Sequence, residues 1–240
     1  MADDSYCQSI AVFRSRQNYP EVFRNTLEDL AGKVDLSHVK SCVAFGTSSG
    51  EREMEFARRL LPNLRSFTAV EQDPESIEAL RTSFQEGKLP GVETSVVESS
   101  VESWSGVDSH IDAAVFFNVL GLVPPDNRKA LYHQLMTQYL SPEGIVVICH
   151  HSNIPYIRKR LGVSAVVYDK LEEEMTAAGF RVVSRQDFEF HFDLTDPNEV
   201  ARHIGLRYGK NESEVREAID DLLAQPEMPV YSNKLAIFTK

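Results

Sequence analysis

Cysteine is scarce: Cys7, Cys42 and Cys149 are all the chain has in 240 residues, and no two of them form a Cys-x-x-Cys pair. That argues against a disulfide framework and a thiolate zinc site, so no metal is expected and reduced thiols in a cytosol fit. Long apolar runs are missing as well. No stretch approaches the roughly 18 residues of a membrane span, and Met-Ala-Asp-Asp-Ser at the start lacks the parts of a signal peptide. A soluble, cytoplasmic protein with no membrane partner is the expectation. Positive charge is short too, with 25 Lys and Arg against 36 Asp and Glu and a net charge of −11. The cations are scattered rather than striped, which argues against a nucleic-acid partner. Only 12 Gly and 11 Pro among 42% hydrophobic residues exclude collagen-like and disordered chains.

What is present is an alternation of apolar strands with amphipathic helices. Tyr19 to Leu30 reads as an N-terminal helix outside the sheet, opened by Pro20. Strands follow at Ser41 to Phe45, Ser66 to Val70, Val92 to Val97, Ile111 to Phe117 and Gly144 to Cys149, in five strand-helix units. The helix from Asp169 to Ala178 closes on Gly179. Phe188, Phe190, Phe192 and Leu194 then alternate as a strand with one dry face. A polar helical insertion separates them from a last strand, Lys234 to Thr239. The order predicts an α/β, doubly wound sheet whose end reverses direction, with ligands beyond the carboxyl ends of its strands.

The turn Gly46-Thr47-Ser48-Ser49-Gly50-Glu51 fits neither the dinucleotide pattern nor the P-loop, because Ser48 stands at the middle glycine and no Gly-Lys-Ser/Thr follows. Acids at Glu51 and Glu53 in the first helical turn repel phosphate and suit a cationic group. Glu71 ends the second strand about 20 residues on, where an acid holds ribose hydroxyls. A sulfonium nucleoside, S-adenosylmethionine, meets all three conditions; a nicotinamide dehydrogenase fails on the loop.

These segments resemble those of the class I S-adenosylmethionine-dependent methyltransferases, in particular histamine N-methyltransferase and its relatives, over nearly the whole chain. Ala44 to Glu51 is similar to that family's first cofactor loop and Ala69 to Ile77 to its ribose-binding turn. Glu98-Ser99-Ser100 resembles the adenine-side segment. Val147 to Asn153 follows the fifth strand, and Tyr231 to Ile237 aligns with the segment that gives an asparagine to the amine pocket. Gly121 and Leu122 stand where the histamine enzyme carries tyrosines. The resemblance implies a Rossmann-like, seven-stranded methyltransferase sheet with helices on both faces. Its boundaries would be an N-terminal helical segment at 1–40 and a methyltransferase domain at 41–240, with 196–229 a helical cover over the substrate or a surface pair of helices.

It also implies S-adenosylmethionine as cofactor, held by Gly46, Thr47, Ser48, Gly50, Glu51, Glu71, Gln72, Ser99, Ser100 and Asn118. Asn118 and Asn233 would orient a small-molecule acceptor, with an amine nitrogen receiving the methyl group, and His150 or His151 would relay its proton. Bland roles stand beside these: a loop pair for the histidines, a cap for Asn118, a core filler for Cys149, and either an adenine cover or a gap filler for Trp104. A monomer or dimer is expected. The alternative function is a cofactor-binding relative without catalysis that serves as a partner-binding module.

Overall fold

The computed structural model describes residues 15–106, 110–191, 193, 196–225 and 231–240. Cys7, Phe192, Leu194 and the end of the expected cover, 226–229, lie outside the described residues. Helix α1 (Tyr19–Ala31) precedes β1 (Ser41–Phe45), α2 (Glu51–Leu60), β2 (Ser66–Glu71), α3 (Pro74–Gln85) and β3 (Glu93–Glu98). Next come β4 (Ile111–Phe117), α4 (Pro125–Gln134), β5 (Leu140–His151), α5 (Tyr156–Arg160) and α6 (Tyr168–Ala177). The chain ends with β6 (Arg181–Phe190), α7 (Pro197–Tyr208), α8 (Glu212–Leu223) and β7 (Tyr231–Thr239).

One seven-stranded sheet runs in the order β3-β2-β1-β4-β5-β7-β6. The first five strands are parallel, and β7 inserts antiparallel between β5 and β6, so the direction does reverse at the end. One expectation fails: the connection from β3 to β4 carries no helix among its described residues, so the winding is not five full strand-helix units.

Strand β1 shows why the sheet needs cover on both sides. Cys42 and Ala44 join one core and Val43 and Phe45 the other, all within 2% exposure. A strand buried on both faces reads as an unbroken apolar run. Helices α1, α2, α7 and α8 contribute to the first core, through Phe23, Phe56, Ile204 and Ile219 among others. Helices α4 and α6 cover the second through Leu131, Tyr132, Leu171 and Met175. Trp104 also belongs there, with its ring edge-on to Phe45 and Tyr139. It is packed into that core, 5% exposed.

Local chemistry sets the helix starts. Pro20 lies in the first turn of α1, whose buried stripe is Tyr19, Phe23, Thr26, Leu27 and Leu30. Asp73 caps α3 by accepting from the Ser76 N–H at 2.8 Å, with Pro74 next to it. Buried Arg128 of α4 donates to both oxygens of Glu174 on α6 (2.7 and 2.6 Å) and to the carbonyls of Leu120 and Val123. The segment before α1 is fastened to the chain beyond β6. Asn18 accepts from the His191 N–H and donates its own to the His191 carbonyl, while Arg16 pairs with Asp193 and Glu199.

Candidate active site

A cavity of about 640 Å³ opens beyond the carboxyl ends of the parallel strands, bounded by α1, the β1–α2 turn, the ends of β2 and β4, and α7. Pockets of this size accept a small organic ligand. Of the residues singled out from sequence, Gly46, Ser48, Glu51, Glu71, Gln72, Ser99, Ser100, Asn118, His151 and Asn233 line it. Thr47, Gly50 and His150 do not, and each is buried.

The β1–α2 turn is built around two constraints. Gly46 has φ +59°, and a Cβ there would meet Val119 Cγ2 at 2.3 Å, so only glycine lets the turn approach the end of β4. Ser48 takes φ +51° without being glycine. Its N–H donates to Glu71 Oε2 at 2.7 Å, while Glu71 Oε1 accepts from the N–H groups of Gln72 and Asp73 at 2.8 and 3.1 Å. Glu71 therefore braces the turn from the neighbouring strand. Three of its roughly four lone-pair positions are used, which leaves about one on Oε2 unused by these contacts, and Glu71 is among the residues that line the cavity.

At the other end stand two side-chain amides. Asn118 follows β4 with φ +59°, a conformation that asparagine tolerates better than most residues. Asn233 of β7 is fully buried and lies opposite His151 in the β5–β7 ladder. Oδ1 of both is buried without a hydrogen-bond partner in the structure. Such orphaned acceptors cost about 1–3 kcal/mol each unless a ligand satisfies them.

Successive residues on β5 face opposite sides of the sheet. Cys149 and His151 point to the cavity side, where Cys149 Sγ lies 3.5 Å from Tyr19 Oη and 3.9 Å from Asn233 Nδ2. Burial pushes the Cys149 thiol up to about 11, which suits an apolar filler and not a nucleophile. His150 points to the other layer, beneath Gly121, where a Cβ would come within 3.1 Å of the imidazole. Burial first, and then the fields of Arg158 and Arg128, lower His150 to about 4. Gly121 thus makes room for a neutral, packed imidazole.

Sequence reasoning missed several wall residues: Tyr19 and Phe23 of α1, Arg52 of α2, Ile204 and Tyr208 of α7, and Tyr231. The α1 stripe was legible, but its packing on α2 and β6 was not. No cluster of His, Cys, Asp or Glu suited to a metal ion occurs among the described residues, nor does any helix long and apolar enough to cross a membrane.

No protein-family profile matches the sequence, and no curated protein does. Solved structures match in shape. A putative methyltransferase from Bacillus halodurans is 14% identical over 90% of this chain and 98% of its own, with a TM-score of 0.64. The N-methyltransferase NodS from Bradyrhizobium japonicum is 14% identical over 93% of this chain and 98% of its own, at 0.58. The cyclase SpnF is 18% identical over 91% of this chain and 81% of its own, also at 0.58. A second NodS structure holds S-adenosyl-L-homocysteine. The likeness establishes the fold, the Rossmann-like α/β fold of these methyltransferases. A cyclase among them shows that the fold by itself does not fix the reaction.

Proposed function

We propose that this chain binds S-adenosylmethionine and directs its methyl group to a nitrogen of a small amine. The observation that carries this reading is the pair of orphaned amide oxygens, on Asn118 and Asn233, in the same cavity as the Glu71-braced turn. Binding of S-adenosylhomocysteine by NodS, on a shared fold, supports the cofactor.

The residues present fit that cofactor. Glu71 keeps one acceptor position for a ribose hydroxyl, Gln72, Ser99 and Ser100 border the nucleoside end, and Gly46, Ser48 and Glu51 form the turn beside it. Thr47 and Gly50 shape the turn from beneath it. When bound, S-adenosylmethionine supplies an activated methyl group on a sulfonium. The chain's own part is to hold the acceptor. Asn118 and Asn233 accept hydrogen bonds from the acceptor nitrogen and turn its lone pair toward the cofactor side; orientation of this kind is worth about 7–11 kcal/mol. Tyr19, Phe23 and Tyr231 exclude water from it. His151 takes the released proton, since His150 is on the far side of the sheet. Helices α7 and α8 act as the cover, with Ile204 and Tyr208 of α7 on the cavity wall. The resemblance of Tyr231 to Ile237 to an amine-pocket segment makes a histamine-like biogenic amine the first acceptor to try.

Calorimetry with S-adenosylmethionine and S-adenosylhomocysteine tests the cofactor, and absence of heat at millimolar ligand refutes it. Glu71→Ala should weaken binding at least tenfold. Mass spectrometry of an amine panel with labelled cofactor tests the acceptor. Binding without methyl gain at any amine, oxygen or sulfur would leave a non-catalytic binding module.

A further inference from the structure

Arg52 breaks a local rule. It sits in the first turn of α2, where the helix dipole disfavours a cation, and its side chain turns to the cavity. Its guanidinium carbon lies 5.8 Å from the centre of the Tyr19 ring. Nε is buried and has no hydrogen-bond partner, and no carboxylate of a described residue lies within 4.0 Å of any of its nitrogens. Buried Glu53, next along the turn, supplies a longer-range counter-charge. A guanidinium with donors left over beside a cavity is built for a planar anion, because its fork matches a carboxylate.

Its position says which anion. From Arg52 the contacts run to Tyr19, from Tyr19 Oη to Cys149 Sγ, and from there to Asn233 Nδ2. Cys149 and Asn233 stand on the β5–β7 side of the cavity, separated from Glu71 on β2 by β1 and β4, and Arg52, which starts on α2 just past the β1–α2 turn, reaches toward them through Tyr19 and acts on the Cys149 thiol by its charge. Two carboxylates could reach a guanidinium in this cavity, the amino-acid end of the cofactor and one on the acceptor, and the reach through Tyr19 toward Cys149 and Asn233 favours the second.

We infer that Arg52 selects acceptors that carry a carboxylate, so that the substrate class is amino acids and related carboxylated amines in preference to simple biogenic amines. The inference rests on the proposed function and narrows it: the carboxylate pairs with Arg52 while the nitrogen lies against Asn118 and Asn233. A carboxylate there also satisfies the orphaned Nε or its neighbours, which a decarboxylated amine leaves unpaired. An ammonium alone would face Arg52 with like charge.

The test titrates the full chain, saturated with S-adenosylhomocysteine, with matched pairs that differ by the carboxylate: histidine and histamine, tryptophan and tryptamine, ornithine and putrescine. The wild type should bind the carboxylated member of at least one pair tenfold more tightly. Arg52→Met should bring that preference below threefold, Arg52→Lys should retain part of it, and both should hold S-adenosylhomocysteine within threefold of wild type. Equal or tighter binding of every decarboxylated member by the wild type overturns the inference and leaves the function standing; this reading needs no variant to fold. Loss of S-adenosylhomocysteine affinity in Arg52→Met with the acceptor preference intact also overturns it, by assigning the guanidinium to the cofactor's own carboxylate. No S-adenosylhomocysteine binding by the wild type overturns the proposed function and the inference together.

Discussion

Replacing His150 by leucine should change how stability depends on pH. The imidazole is 3% exposed, and its folded value of about 4 lies below the unfolded value of about 6.5. Above pH 6.5 both states hold it neutral. As pH falls below 6.5 the unfolded chain takes up a proton that the folded chain refuses, so stability declines until about pH 4, where both are protonated. At about 1.4 kcal/mol per pH unit, the window from 6.5 to 5 should cost the wild type about 2 kcal/mol through this group, and the whole span about 3. Asp112 and Glu55, whose values are lowered in the fold, lose their contribution at more acid pH and do so in both proteins. The assay is urea unfolding at half-unit steps from pH 7.5 to 5, with wild type minus variant as the readout. Leucine differs from imidazole in shape, but the packing offset this brings does not depend on pH. A difference that stays flat across the window would refute the buried, neutral imidazole.

Gly46→Ala should cost about 2–4 kcal/mol, because it adds both left-handed strain and overlap with Val119. The double variant with Val119→Ala should recover the overlap part, as read by urea midpoint. Arg128→Ala should destabilise by about 3–5 kcal/mol, since it strands the Glu174 carboxylate and the carbonyls of Leu120 and Val123. Arg128→Met with Glu174→Leu should restore most of that loss, and thermal unfolding of the three proteins would show it.

Much of the architecture was legible in particular residues. The apolar runs at Ser41 to Phe45 and Ile111 to Phe117 coincide with β1 and β4, and Asp73-Pro74 marks the start of α3. Turn chemistry and periodicity are local, so they can be read locally. The direction each side chain faces is not. His150 and His151 are equivalent in composition, yet one residue of register sends them to opposite layers. Thr47 has the residue type of a ligand contact and is sealed under its turn. Nothing in Glu51-Arg52-Glu53 singles out Arg52; the packing of α1 over α2 is what places Tyr19 beside it. The site is assembled from elements far apart in the chain, and only the tertiary contacts specify that assembly.

The fastening of Arg16 and Asn18 to His191, Asp193 and Glu199 joins two stretches 173 to 183 residues apart in the chain, next to the sheet's outermost strand. One leads into α1, which carries Tyr19 and Phe23, and the other leads into α7, which carries Ile204 and Tyr208. Undoing that clasp would therefore unseat both flanks of the cavity at once and bare the backbone rim of β6, so that weakened ligand retention and a tendency to self-associate should arrive together.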